Sequence, residues 1–294
     1  MTVFCFGSIN IDNFYQMPHL PQPGETLAAT GYACGLGGKG ANQSVASARA
    51  GSVTKHIGAV GDDGAWCLDK LRDMGVDTGQ IATTTTATGH ANVCVDPSGE
   101  NMIVLAPGAN HAQNLERTQS ALRGADPGDI LLLQNEVNLV KEVATLAKNL
   151  GLFVIYSAAP FDAKAAQEVL PLCDLLVVNE VEAQQLSEAL GVSVNEIEVP
   201  AVLITRGAKG AVWRDQITKS ETKAPAFKVT PVDTTGAGDC FIGYVAAGLD
   251  QGLPVADALR LASAASALQV TRPGTADAIP TRADVDAFLA GVSP

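Results

Sequence analysis

The stretch Asp233-Thr234-Thr235-Gly236-Ala237-Gly238-Asp239 runs straight into the apolar segment Cys240–Leu249 and sets three small residues where a loop becomes a helix. Helix N-termini present backbone N–H groups with no intrahelical partner and carry partial positive charge. Glycines let a ligand come close to those groups, so the junction suits an anion. A carboxylate at such a place needs a task other than binding the anion. The task that fits is taking the proton from a hydroxyl that attacks it. Asp239 then reads as the base, Gly236, Ala237 and Gly238 as the anion hole, and the chemistry as phosphoryl transfer to an alcohol.

Four other clusters carry usable side chains. Gly7-Ser8-Ile9-Asn10-Ile11-Asp12 puts Asn10 and Asp12 two residues apart, on one side of an extended segment. A carboxylate accepts hydroxyl protons and an amide donates and accepts, which suits vicinal sugar hydroxyls, with a turn or cap as the plain alternative. The run Gly35–Gln43 contains a literal G-x-G-x-x-G, but a half-exposed strand precedes it, and Lys39 is followed by Gly40, so it fits neither a dinucleotide loop nor a Walker A loop. It reads as a tight turn opening a helix over Ala41–Ala50, or as backbone lying against a polyhydroxyl ligand with Asn42 beside it. Asn179-Glu180-Val181-Glu182 is a helix cap, or an acidic pair holding water-coordinated Mg²⁺ near a phosphate. Thr205-Arg206-Gly207-Ala208-Lys209-Gly210 is a hairpin turn, or two cations and two glycines placed for a triphosphate.

The elements that must position these groups follow an alternating pattern. Val3–Phe6, Ile130–Leu133, Phe153–Tyr156, Leu175–Val178 and Val202–Ile204 are short apolar runs of the kind found in buried parallel strands. Helical patterns over Asn138–Leu150, Ala163–Leu170 and Glu180–Leu190 lie between them. The alternation predicts a doubly wound α/β sheet, whose ligands bind outside the carboxyl ends of the strands. Asn10, Asp12, Glu136, Ser157, Asn179 and Arg206 each follow a strand and are expected on that edge. Two segments, about 13–35 and 88–105, look instead like polar–apolar strands of a small projecting sheet that serves as lid, dimer contact or both. Helices are expected over Cys240–Asp250, Val255–Val270 and Arg282–Leu289.

Bulk properties narrow the partners. A net charge of −12 argues against nucleic acid and anionic membranes, and an aromatic content of 5% argues against a base-stacking platform. A phosphate site in this chain must therefore be local. The six cysteines are scattered with no C-x-x-C pair, the four histidines have no ligand spacing, and no G-x-S-x-G elbow is present. No signal peptide and no apolar run of spanning length is read, so a cytoplasmic protein is expected.

Together, Gly7–Asp12, Gly38-Lys39-Gly40-Ala41-Asn42-Gln43, Gly58–Gly64, Asn179-x-x-Glu182 and Asp233–Asp239 resemble the ribokinase-like (PfkB) family of sugar kinases, in order and over the whole chain. The resemblance implies one three-layer, mostly parallel α/β domain over residues 1–294 with a small β-sheet lid, dependence on ATP and Mg²⁺, and a homodimer joined through the lids. It implies that Asn10, Asp12, Gly38, Lys39, Gly40, Ala41, Asn42 and Glu136 hold the sugar beside the base Asp239. Asn179 and Glu182 would serve Mg²⁺ and phosphate, and Thr205, Arg206, Gly207, Ala208, Lys209, Gly210 and Gly238 the nucleotide. K⁺ would be held by the carbonyls of Asp233, Thr235, Gln269, Arg272 and Gly274. The chain departs from the family pattern in three places. Ala278 stands where a hydroxyl side chain is common near the K⁺ site, Ala262 and Ser263 stand where Asn or His is frequent near adenine, and the chain between Glu182 and Thr205 is about one helix short.

Overall fold

Apolar residues in β1 (Thr2–Phe6) divide by parity. Val3 and Cys5 pack into one hydrophobic cluster, while Phe4 and Phe6 pack into another on the opposite face of the sheet. A strand buried on both faces must sit inside a layered structure. The computed structural model, which describes residues 1–291, shows that arrangement.

β1 leads within three residues into β2 (Asn10–Gln16), then β3 (Gly31–Gly37), α1 (Lys39–Arg49), β4 (Val53–Gly61), α2 (Ala65–Asp73) and β5 (Asp77–Thr84). β6 (Gly89–Val95), β7 (Asn101–Ala106), α3 (Leu115–Ala121), β8 (Ile130–Leu133), α4 (Val140–Asn149), β9 (Phe153–Ser157) and α5 (Ala163–Val169) follow. The remainder is β10 (Leu175–Asn179), α6 (Glu180–Leu190), β11 (Ala201–Thr205), β12 (Ala211–Asp215), β13 (Ser220–Ala224), α7 (Ala237–Asp250), α8 (Val255–Gln269) and α9 (Arg282–Gly291).

Nine strands form the main sheet in the order β13-β12-β11-β10-β9-β8-β1-β4-β5, parallel from β5 to β11, with β12 and β13 antiparallel at one edge. Residues of α1, α2, α7, α8 and α9 cover one face, and residues of α3, α4, α5 and α6 the other. The expected three-layer α/β fold is therefore present. The four remaining strands form a separate small sheet, β3-β2-β6-β7. It begins at Asn10, three residues earlier than its expected start, so Asn10 and Asp12, which follow core strand β1, belong to the lid.

β4, β5, α2 and α3 were not expected. Lys55 and His56 break the apolar run of β4. The Lys55 ammonium lies 5.5 Å from the Phe4 ring centroid, and His56 is wholly buried. Its ring bonds Ser44 Oγ at 2.8 Å and the Gly7 carbonyl at 3.2 Å, and burial pushes its pKa down to about 4. Among the described residues all six cysteines are unpaired, and no helix is long and apolar enough to cross a membrane.

Candidate active site

Two helices bring their N-terminal turns together at Asp239, and the chain treats them differently. α1 starts without a side-chain cap of its own, and three outside groups absorb its first N–H groups. Lys39 N–H donates to Glu136 Oε2 at 3.0 Å, Gly40 N–H to Ser8 Oγ at 3.3 Å, and Ala41 N–H to the Ser8 carbonyl at 2.9 Å. Ser8 Oγ donates in turn to Glu136 Oε2. This end is closed.

α7 is open. Its N-cap is Gly236, held at φ 75°, a left-handed backbone that favours glycine, and no side chain caps it. The N–H groups of Gly238 and Asp239 have no acceptor among the described residues. Asp239 lies in the first helical turn, with the helix starting at Ala237, three residues before the expected Cys240. The residue is 8% exposed, and its carboxylate receives Asn42 Nδ2 on Oδ2 at 3.1 Å and Gln43 Nε2 on Oδ1 at 3.0 Å. Asn42 Oδ1 is buried with no partner among the described residues, an acceptor awaiting a donor.

The lid strand β2 carries Asn10 and Asp12, both buried. Asn110 fixes Asn10, donating Nδ2 to its Oδ1 at 2.7 Å and accepting the Ile9 N–H at 2.9 Å. Burial first, then the charges of Glu136 and Asp239, push the Asp12 carboxyl up to about 7. Three carboxylates thus face one small volume, with Lys39 as the nearby cation. The Asp239 charge, followed in effect by Glu136 and Glu182, outweighs burial and raises the Lys39 pKa, so the ammonium stays charged.

Two cavities meet across Ala237 and Gly238. The larger, about 510 Å³, is walled by Thr205, Gly207, Ala208 and Gly210 on one side and by Phe227, Phe241 and Ala267 elsewhere. The smaller, about 160 Å³, is lined by Lys39, Ser157, Asn179, Glu182, Gly238 and Asp239. Asn179 and Glu182 form a capping box on α6, with Asn179 Oδ1 accepting the Glu182 N–H at 2.8 Å and Glu182 Oε2 accepting the Asn179 N–H at 2.9 Å. The plain reading of this pair is therefore correct, and the pair also lines the smaller cavity. Burial raises the Glu182 pKa. Arg206 and Lys209 differ from expectation: both turn to Glu180, at 3.2 Å each, instead of lining the larger cavity. Among the described residues no cluster of three His, Cys, Asp or Glu side chains is placed to hold a metal.

The loops proposed for K⁺ are laced together by protein donors. Thr235 N–H and Gly274 N–H donate to the two carboxylate oxygens of Asp233 at 2.9 and 3.0 Å. Gln269 Nε2 donates to the Thr235 carbonyl at 3.0 Å, and Arg272 N–H to the Gln269 carbonyl at 2.9 Å. Ser8, Asn110 and Gln134 also belong to the site and were not singled out from sequence. Each works through a contact made by distant parts of the chain, and only Ser8 lay in a motif already noted.

Comparison with known proteins accords with this geometry. The family model for pfkB family carbohydrate kinases matches residues 2–282. The chain belongs to that family. Among pfkB relatives it is 37% identical to the ribokinase of Haemophilus influenzae over 98% of each protein, and 31% identical to a Salmonella typhi deoxyribokinase over 98% of this chain and 99% of that one. The structure of Arabidopsis thaliana ribokinase complexed with ribose and ATP superposes with a TM-score of 0.87 at 30% identity, covering 99% of both chains.

Proposed function

We propose that the protein is an ATP-dependent ribokinase that moves the γ-phosphoryl group to the primary hydroxyl of ribose. One observation carries the reading. Asp239 stands in a small polar cavity that opens, across the uncapped N-terminus of α7, from a larger apolar cavity. Base and sugar of the nucleotide fit the larger space, and the phosphoryl group in flight fits the smaller.

Phosphoryl transfer depends on positioning and on meeting spread charge, with little covalent work for the protein. Asn10, Asp12, Asn42 and Glu136 bind the acceptor hydroxyls, and the orphaned Asn42 Oδ1 fits a hydroxyl donor. Lys39 and the free N–H groups of Gly238 and Asp239 meet the phosphoryl oxygens. Asp239 accepts the hydroxyl proton as the oxygen–phosphorus bond forms. Thr205, Gly207, Ala208 and Gly210 shape the nucleotide wall, while Arg206 and Lys209 stand at its rim. Mg²⁺ fits through water: Glu182 keeps one oxygen outside its capping bond, and this ion prefers carboxylate and water ligands. When bound, it would neutralise phosphate charge. Potassium fits less well, because the Thr235 and Gln269 carbonyls are already engaged within the chain and residue 278 has no hydroxyl. No step is assigned to it.

Asp239→Asn keeps the shape and removes the base, so turnover falls by about 1,000-fold or more while ATP affinity stays within a few-fold. A variant that keeps substantial kinase activity would end the role assigned to Asp239. ADP release measured over a panel of ribose, 2-deoxyribose and fructose tests the acceptor. The Salmonella typhi relative makes 2-deoxyribose the second reading, and a higher kcat/KM on it than on ribose would replace the first. The exposed apolar edge of the lid supports pairing of two copies, and the unpaired thiols suit the reducing cytoplasm.

A further inference from the structure

Behind Asp239 lies a chain of buried amides that substrate contact does not explain. Gln43 Nε2 donates to Asp239 Oδ1 at 3.0 Å, and Gln134 Nε2 donates to Gln43 Oε1 at 2.7 Å. Gln134 Nε2 also points at Cys5 Sγ at 3.6 Å, and that sulfur sits 3.4 Å from the Gly40 carbonyl, to which it donates. Burial pushes the Cys5 thiol up to about 11, so it remains protonated and able to donate. Gln43 and Gln134 are both 0% exposed. Gln43 sits on α1, Gln134 directly follows β8, Cys5 is on β1 and Asp239 is on α7, so the chain ties four elements to one carboxylate.

The order of donors and acceptors along this chain is forced. A primary amide has a donating end and an accepting end, and an ionised carboxylate only accepts. Gln43 must therefore turn its NH₂ toward Asp239, which leaves its carbonyl pointing back into the core. A buried carbonyl needs a donor, and Gln134 Nε2 supplies it. Reversing Gln134 would set two carbonyl oxygens against each other. The chain keeps this order although Gln134 Oε1 is left buried with no partner among the described residues. A site filled only for packing would have no reason to hold a polar side chain there, since an apolar one of equal size leaves nothing unsatisfied.

We propose that Gln134 and Gln43 form an amide relay that fixes the orientation of the Asp239 carboxylate toward the acceptor hydroxyl. Both are positioning residues, and the proposal rests on the reading of Asp239 as base. Asn42 holds the other carboxylate oxygen but also faces the acceptor, so it is free to exchange partners when the sugar arrives. The relay is the part of the grip that stays.

Gln134→Met keeps length and bulk while removing the donor, and Gln134 lines neither of the two cavities. The expected result is a fall in kcat of about tenfold, with KM for sugar and for ATP within about twofold of the parent. Gln43→Met should lose at least as much kcat, and the double variant no more than Gln43→Met alone, since the outer link is void once the inner one is cut. Unchanged kcat in Gln134→Met, a loss confined to KM, or losses that multiply in the double variant would each overturn the relay. Circular dichroism and melting temperature accompany the kinetics. Should Gln134→Met fail to fold, Gln43→Met is read alone, with lowered kcat at unchanged KM supporting the relay and unchanged kcat overturning it. Asp239→Asn separates the two readings. Activity retained there removes the base itself, whereas an inactive Asp239→Asn beside a fully active Gln134→Met removes only the relay.

Discussion

Asp12 is the residue whose environment makes the sharpest demand on pH. Its folded pKa of about 7 stands above the ordinary carboxylate value because burial and two neighbouring carboxylates disfavour the ion. The unfolded chain then gives up this proton first. The contribution of Asp12 to stability therefore declines as pH rises from about 4 toward 7. Acceptor hydroxyls donate to the ionised form, so sugar binding expels the proton. Equilibrium affinity for ribose should rise by about tenfold between pH 6 and pH 8 and flatten above. Calorimetry with sugar alone reads this directly, and a flat profile would show that Asp12 is already ionised in the free protein. Gly37 belongs to the same device, because a Cβ there would come within 1.8 Å of Asp12 Oδ2. The pairing of Asn10 with Asp12 was legible from their spacing alone. The charge on Asp12 was not, since Glu136 and Asp239 reach it from distant sequence. Gln134 shows the same limit: nothing local marks a glutamine after a strand as the partner of a glutamine on another helix.

At the scale of elements, boundaries were readable wherever chemistry is local. Asn179 and Glu182 announce the start of α6, and Gly191, at φ 69°, ends it. β4 and β5 were hidden because their sequences do not look apolar, and tertiary contacts supply what propensity lacks. The loop before α7 is fastened to the end of α8 in a way that bears on ion dependence. Gln269 Nε2 already occupies the Thr235 carbonyl, so kcat without potassium should stay within about twofold of kcat with it, one satisfied oxygen gaining little from a second partner. Gln269→Ala frees that carbonyl and should make the enzyme potassium-activated. Assays in sodium, potassium and Tris salts decide this, and a parent protein inactive without potassium would count against it.

For the whole molecule, the lid leaves an apolar edge uncovered. Met102, Ile103, Val104 and Leu105 of β7 are 40–57% exposed, and Tyr32 of β3, on the opposite edge, is 61% exposed. Open edges of this kind invite pairing with another chain. A homodimer joined here should dissociate on Ile103→Glu, and sedimentation velocity would show it. A parent protein that sediments as a monomer at every concentration refutes the contact. The lid itself was legible as two polar–apolar segments, but its order β3-β2-β6-β7 was not, because β2 and β6 pair across more than 70 intervening residues.

Glu180 takes on a kinetic meaning at this scale. By holding Arg206 and Lys209 at 3.2 Å each, it offsets one of the two positive charges at the rim of the nucleotide cavity, in a molecule whose net charge is −12. An incoming polyanion then meets long-range repulsion with only one uncompensated positive charge in this cluster to draw it in. Most salt-sensitive ligands are captured more slowly as counter-ions accumulate, whereas here added salt shortens the reach of the repulsion and should speed nucleotide capture. Stopped-flow association rates that rise modestly with ionic strength, and a Glu180→Gln variant that captures ATP faster at low salt, would mark a doorway whose pull is halved by its own carboxylate.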